Sequence, residues 1–160
     1  MIIRNAGASD YQSILKATEN WCIEAKDVDL IHPVFVHQFQ DTAFVAEEGG
    51  QMIGFLLGFV SQSQPEAGYV HMVASDPDCR QQGVASALYG AFAARVSQMG
   101  CCRLVAVVHP DSRDAICFHR RLGFSSQPQD AGKMSENQLS LIRDCGEPGE
   151  HRVVLVKELQ

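Results

Sequence analysis

Read as a string of apolar and polar positions, the chain changes period several times, and each change marks an element. Residues 1–4 open with an apolar run that predicts a short first strand. Ser9-Asp10-Tyr11-Gln12 has the S-x-x-Q spacing of a capping box, and Tyr11, Ile14, Leu15 and Thr18 recur at helical spacing. A helix is therefore expected over 10–21. Val34, Phe35, Gln38 and Phe39 repeat that spacing over 31–39, with Pro33 in the first turn, where its missing N–H is no loss. Residues 42–47 and 51–60 are strand-like runs joined through Glu48-Gly49-Gly50, the pattern of an antiparallel hairpin. Gly54 and Gly58 inside the second run mark bends or close packing.

The polar stretch 61–67 leads into an apolar strand, 69–75, which stops at Asp76-Pro77. Directly afterwards Val84, Leu88, Ala91, Phe92 and Val96 form one side of a helix over 82–98, closed by Gly100. Residues 103–108 are nearly all apolar and predict a strand inside the sheet. Residues 112–122 read as a second amphipathic helix, with Ala115, Ile116, His119 and Leu122 on related faces and Gly123 ending it. Phe124 begins a strand, 128–150 is a long polar loop with one helical turn around Ser140, and 152–157 is a terminal strand. Loops of that length in a compact domain tend to be functional or mobile.

Composition narrows the classes. At 160 residues the chain predicts a single domain, 1–160, with 46% hydrophobic and 20% charged residues, ordinary for a globular protein. A net charge of −6 argues against nucleic acid or an anionic membrane surface as partner. Residues 1–5 reach a polar residue too early for a secretory signal, and no apolar run approaches the ~20 residues of a membrane span. The six cysteines include no C-x-x-C pair and read as reduced thiols of a cytoplasmic protein. The six histidines form no ligand-spaced cluster with them, so no metal is expected.

The chemistry gathers where the strand 69–75 turns into the helix. Gly83 follows Arg80-Gln81-Gln82 at the helix start, where it removes a Cβ and lets the backbone come close to a ligand. A helix start carries unpaired N–H groups and partial positive charge, both favourable to a phosphate. The pattern Arg80-x-x-Gly83-x-Ala85, placed after an apolar strand and a D-P turn and followed by Phe118-His119-Arg120-Arg121-Leu122-Gly123-Phe124, resembles the signature of the GNAT superfamily of N-acetyltransferases.

The resemblance implies an α/β fold: a mixed sheet of about seven strands, splayed between the fourth and fifth, flanked by about four helices. It further implies acetyl-CoA as co-substrate, held by Val73, Ala74 and Ser75 through backbone groups and by Arg80, Gln81, Gln82, Gly83, Val84 and Ala85 at the pyrophosphate. The helical pair 10–39 would roof the acceptor site, with Trp21, His32, Phe35 and His37 either shaping that pocket or serving as core and surface residues. The acceptor is expected to be a small-molecule or peptide amine, and a homodimer is compatible with the family.

Transfer of acetyl from a thioester needs a deprotonated amine, a polarised carbonyl and a proton for the departing thiolate. Where many members of the superfamily have a tyrosine acid, this chain has His119, which would touch the cofactor sulfur or pack its edge. Ser112 stands where an asparagine often contacts the pantetheine, and would either keep one hydrogen bond or cap the helix. His71 on the fourth strand is the candidate base, or else a core histidine, and Tyr69 shares its face by strand alternation. The glutamate used by protein-modifying members is absent, since that position is Val107. Two functions stay open: an N-acetyltransferase acting by direct attack of a primary amine, and a catalytically silent acyl-CoA-binding or regulatory module. A nucleotide-binding domain would need a G-x-G-x-x-G or G-x-x-x-x-G-K loop, and neither is present.

Overall fold

A computed structural model of the protein describes residues 1–21, 30–126, 141–142 and 151–160. The loop expected after Trp21, and nearly all of the long loop expected over 128–150, lie outside these residues. The chain forms two compact units, 1–101 and 102–160, with the boundary between a helix and the strand that follows it.

The first unit is an antiparallel sheet in the order β1 (Ile2–Asn5), β2 (Ala43–Glu48), β3 (Gln51–Val60), β4 (Ala67–Ser75). Gly49 and Gly50 connect β2 and β3 with φ of 58° and 79°. Two consecutive residues at positive φ make the tight turn whose twist matches a two-residue hairpin, and glycine reaches that conformation without steric cost. Cross-strand partners share a face, so the register sorts the side chains. Ala43, Val45, Phe55 and Leu57 line one face and form a core with Ile14, Ala17 and Trp21 of the first helix region and with Phe35 and Val36. Trp21 stacks on Phe55 with ring centres 6.1 Å apart.

That face is covered by α1 (Tyr11–Asn20) and the single turn α2 (Val34–His37), both within the expected ranges. The start of α1 differs from expectation. A 3-10 turn over Ala8–Asp10 precedes it, and Asp10, not Ser9, is the organising residue. The Asp10 carboxylate accepts from Gly7 N–H at 2.8 Å and from both ends of the Arg4 guanidinium, each at 2.8 Å. Arg4 also pairs with Glu47. A buried carboxylate facing a guanidinium on β1 gains more from that charge than an exposed serine gains from a helix N–H.

The opposite face carries α3 (Val84–Gln98), which buries Val84, Leu88, Tyr89, Phe92 and Val96. Gly54 and Gly58 lie beneath it. A Cβ on Gly54 would stand 2.6 Å from Val84 Cγ1, and one on Gly58 would stand 2.6 Å from the Phe92 ring and 2.7 Å from the Tyr69 carbonyl. Both glycines therefore serve close packing. Gly100, at φ 94°, ends the helix as anticipated.

In the second unit β5 (Arg103–Val108) pairs antiparallel with β8 (Arg152–Glu158), and β6 (Ser125–Ser126) and β7 (Leu141–Ile142) also pair with β8. The helix α4 (Arg113–Arg121) buries Ile116 and His119. Gly123, at φ 89°, turns the chain so that Phe124 N–H returns to the His119 carbonyl at 3.0 Å.

The Arg4 guanidinium holds the Asp10 carboxyl below its ordinary range against the opposing effect of burial. A carboxyl with a depressed folded-state pKa stabilises the fold above the unfolded value near ~3.9, and that contribution fades as the pH falls through the folded value. Asp10→Asn should therefore cost about 1–2 kcal/mol at pH 7, since Arg4 is partly exposed and the contact is partly screened. In urea titrations at several pH values the variant and the parent should converge in acid; an equal gap at pH 7 and pH 3 would contradict this.

Candidate active site

The residues from Tyr69 to Ala85 come from three consecutive pieces of the first unit: β4, a 3-10 turn (Pro77–Cys79) and the first turn of α3. Asp76 closes β4 and its side chain accepts from Asp78 N–H at 2.9 Å, which bends the chain off the sheet. Pro77 fits the first position of that turn, where no N–H is needed. Two residues then take left-handed backbone: Gln81 at φ 64° and Gly83 at φ 81°. Glycine does so freely, but Gln81 is strained by roughly 1–2 kcal/mol. A Cβ on Gly83 would meet nothing within 4 Å. Within the protein itself, what requires glycine here is the positive φ.

This backbone leaves donors without a partner inside the protein. Arg80 N–H and Gln82 N–H are used within the turn, reaching the Pro77 and Cys79 carbonyls, and Ala87 N–H is the first to bond back into the helix start, at Gly83. Among the described residues no acceptor takes the N–H groups of Gln81, Gly83, Val84, Ala85 or Ser86. Successive N–H groups around left-handed residues at a helix start form an anion cradle. The Arg80 and Gln82 side chains are exposed beside it. Such a donor set suits an anionic group.

Val73, Ala74 and Ser75 pair with Leu56, Phe55 and Gly54 of β3, and β4 is the last strand of its unit. The pairing jumps at His71: Leu57 opposes Met72 while the next residue, Gly58, opposes Val70. His71 is thus the extra residue of a β-bulge. Beyond it the alternation inverts. Tyr69 and His71 face the same side as Met72 and Ala74, toward α2, whereas Val73 and Ser75 face α3. Tyr69 and His71 do share a face, as alternation predicts, but the odd-numbered residues after the bulge do not join them.

His71 Nε2 lies 2.9 Å from the Leu30 carbonyl. A carbonyl only accepts, so Nε2 carries the proton and Nδ1 of the neutral ring keeps its lone pair. The ring stacks on Phe35 at 4.6 Å, and Phe35, Phe39, Phe59 and Tyr69 continue from it with neighbouring centres 5.1–6.5 Å apart. Of the pocket residues suggested by sequence, Phe35 belongs to this wall and Trp21 is core. His32 is exposed and its Nδ1 accepts from Val34 N–H at 3.1 Å. His37 borders a cavity of about 430 Å³ that Phe39 and Val60 also line. Sequence reasoning passed over Phe59; its position opposite Tyr69 depends on the hairpin register.

In the second unit, His119 is 5% exposed and its Nδ1 donates to the Ala115 carbonyl at 2.7 Å. Its ring meets Phe118 and Phe124 edge-on at 5.4 and 5.2 Å. Burial pushes its pKa down, partly opposed by that hydrogen bond. Ser112 occupies the position before α4, but its side chain makes no capping hydrogen bond, so the capping alternative fails. Among the described residues there is no cluster of three potential metal ligands, and Cys79, Cys102 and Cys117 are free thiols.

The architecture defines a class. The structure of Ard1 from Thermoplasma volcanium superposes with a TM-score of 0.77 over 99% of this chain and 97% of that one, at 19% identity, and so shares its fold. The chain belongs to the acetyltransferase (GNAT) family, whose model matches residues 9–124. It is 30% identical over 109 residues to an L-2,4-diaminobutyric acid acetyltransferase of Nocardia farcinica, covering 64% of this chain and 56% of that protein. It is also 30% identical over 96 residues to N-alpha-acetyltransferase 30 of Schizosaccharomyces pombe, covering 59% of this chain and 64% of the relative. The chain thus matches less than two thirds of the length of either relative.

A buried histidine with a depressed pKa favours the fold while it stays neutral. Above the unfolded value near ~6.5 that contribution is complete; it declines as the pH falls through that value toward the folded one, because the unfolded chain takes up the proton first. The melting temperature should therefore drop more between pH 7.5 and 5.5 for the parent than for His119→Gln; parallel curves would show that the ring is not held neutral.

Proposed function

We propose that the chain acts as one acetyltransferase domain, cytoplasmic, that transfers the acetyl group of acetyl-CoA to a primary amine by direct attack. The observation that carries this reading is the run of five N–H groups, at residues 81 and 83–86, that donate to no acceptor among the described residues. It would hold the diphosphate, with Arg80 and Gln82 beside it, while the backbone of Val73, Ala74 and Ser75 lies along the pantetheine arm. The family match and the shared fold support the same donor.

His71 then serves as the base. With Nε2–H fixed on the Leu30 carbonyl, Nδ1 is the atom that can take the amine proton, directly or through water. Tyr69 stands two residues away on the same face. As the amine nitrogen bonds to the carbonyl carbon, the C–S bond breaks and the thiolate leaves. A thiol with a pKa near ~8.5 is a good leaving group, so solvent suffices to protonate it. His119 and Ser112 remain candidates for contact with the cofactor. Cys79 sits in the turn, but partial burial and the carboxylates of Asp76, Glu48 and Asp78 push its pKa up. A protonated thiol is a poor nucleophile, which favours direct transfer over an acyl-cysteine.

One observation favours the silent binding module: the buried, neutral His119 is not a ready proton donor. Thiol release over a panel of amines separates the two readings, since the module binds CoA and turns nothing over.

At 100 times its dissociation constant, acetyl-CoA should stabilise the protein by about 2.7 kcal/mol, raising the melting temperature by roughly 5–10 °C. Gly83→Val, which forces a branched residue to positive φ, should remove most of that shift while circular dichroism stays unchanged. A parent protein that no CoA species stabilises, or a variant with the full shift, would sink the cofactor assignment. His71→Ala should lower kcat by about 10²–10⁴ with the CoA-induced shift retained; a kcat within threefold of the parent would remove His71 from catalysis.

A further inference from the structure

The segment that leads into α2 also grips the side chain placed to take the amine proton. We propose that residues 30–35 position that base: the Leu30 carbonyl selects the tautomer of His71, Phe35 fixes the plane of its ring, and Tyr11 anchors the segment. The proposal rests on the acetyltransferase reading with His71 as base, and it makes Phe35 and Tyr11 positioning residues that act through the imidazole.

His71 needs such support because of where it sits. In a regular antiparallel strand each side chain is braced by the residue opposite. His71 is the extra residue of the bulge, with Leu57 opposite Met72 and Gly58 opposite Val70, so no residue of β3 stands across from it. What orients its ring is the segment packed over it.

Two contacts come from that segment. The Leu30 carbonyl lies 2.9 Å from Nε2, and the Phe35 ring centre lies 4.6 Å from the imidazole with the two planes 24° apart. Five residues of extended chain would span roughly 16 Å at ~3.3 Å per residue, so Leu30 and Phe35 reach one ring only because the chain between them folds back. The fold is made at His32, whose Nδ1 accepts from Val34 N–H at 3.1 Å and whose carbonyl accepts from Phe35 N–H at 3.2 Å. The Tyr11 hydroxyl donates to the Ile31 carbonyl at 3.3 Å and ties the segment to α1. Phe35 is 6% exposed and is braced in turn by Phe39 and Phe59, with ring centres 5.8 and 6.5 Å away. The support is therefore core, while the imidazole it holds is only half-buried.

The two contacts do different work. The carbonyl fixes the proton on Nε2 and leaves the lone pair on Nδ1. Alone it does not aim that lone pair, because the ring is free to pivot about a single hydrogen bond. Stacking on Phe35 removes the pivot by holding one face of the ring. An edge and a face held together leave Nδ1 one direction, and a general base works only within hydrogen-bond reach of its proton or of one intervening water. Misplacing such a group by ~1 Å costs up to about 100-fold in rate.

Phe35→Leu keeps an apolar side chain in the core and removes the flat face. It should lower kcat by about 10-fold, with the KM for acetyl-CoA and the CoA-induced rise in melting temperature retained. Two further readouts separate positioning from packing. Nitrogen NMR of the neutral His71 ring should show a protonated Nε2 and an unprotonated Nδ1 in the parent, and in Phe35→Leu the two signals should move toward each other as the tautomers mix. The loss in kcat should also vanish when Phe35→Leu is added to His71→Ala, because Phe35 acts through that ring. Tyr11→Phe, which removes only the hydroxyl, should lower kcat by about 3–5-fold and again only while His71 is present; it keeps the proposal testable if Phe35→Leu fails to fold. A parent ring protonated on Nδ1 or already mixed, a ring spectrum unchanged in Phe35→Leu, or a loss that persists in full beside His71→Ala would overturn the proposal and leave the acetyltransferase reading standing. A parent that turns over no amine would take down that reading, and the proposal with it.

Discussion

The missing Cβ atoms of Gly54 and Gly58 fix where the anion cradle can be. With any side chain at Gly54, Val84 could not sit where it does, because 2.6 Å is far inside van der Waals contact. Val84 is the first residue of α3, so the helix N-terminus rests directly on β3. The turn from Asp76 that leads into it places Gln81 and Gly83 in left-handed backbone. The unpaired N–H groups lie on that turn and on the helix start it feeds. Close packing in the core is thus converted into polarity at the rim.

A second constraint acts on β4 itself. The extra residue at His71 inverts the alternation halfway along the strand, so one strand can serve two faces. Before the bulge Tyr69 and His71 look toward the aromatic side; after it Val73 and Ser75 look toward α3. A regular strand with the same sequence would set His71, Val73 and Ser75 on one side and leave the aromatic wall without its histidine. The bulge also separates labour, because the residues proposed for the cofactor act through backbone while those proposed for the acceptor act through side chains.

The elements with a strong local cause were legible in the sequence. Glycine pairs at a hairpin, proline after a strand and a glycine behind a helix each act within a few residues, and the strands and helices around 43–60, 84–98 and 103–121 came out close to their observed bounds. The features that were not legible depend on partners remote in sequence. Ser9 looked like a cap until Arg4 on a neighbouring strand claimed Asp10. The bulge at His71 appears only in the pairing with β3, and the carbonyl that fixes its tautomer comes from Leu30, 41 residues away. Ser112 has the residue type of a cap yet makes no capping bond, because residue type sets a preference and geometry decides whether it is used.

The proposal that an acidic chain holds a diphosphate is less paradoxical than the net charge of −6 suggests. Asp76 and Asp78 flank the cradle in the chain; burial chiefly, and then the carboxylates of Asp76, Glu48 and Asp78, push the Cys79 pKa up, so the local field there opposes an anion. Long-range attraction cannot therefore be what recruits the ligand. Amide dipoles act only over the length of a hydrogen bond, where their orientation matters more than the distant carboxylates. A site built this way discriminates by shape: an anion that fills the curve between Gln81 and Ser86 meets several donors at once, and one that does not meets mostly repulsion. The strain in Gln81 belongs to the same arrangement, since relaxing it would turn its N–H out of the set.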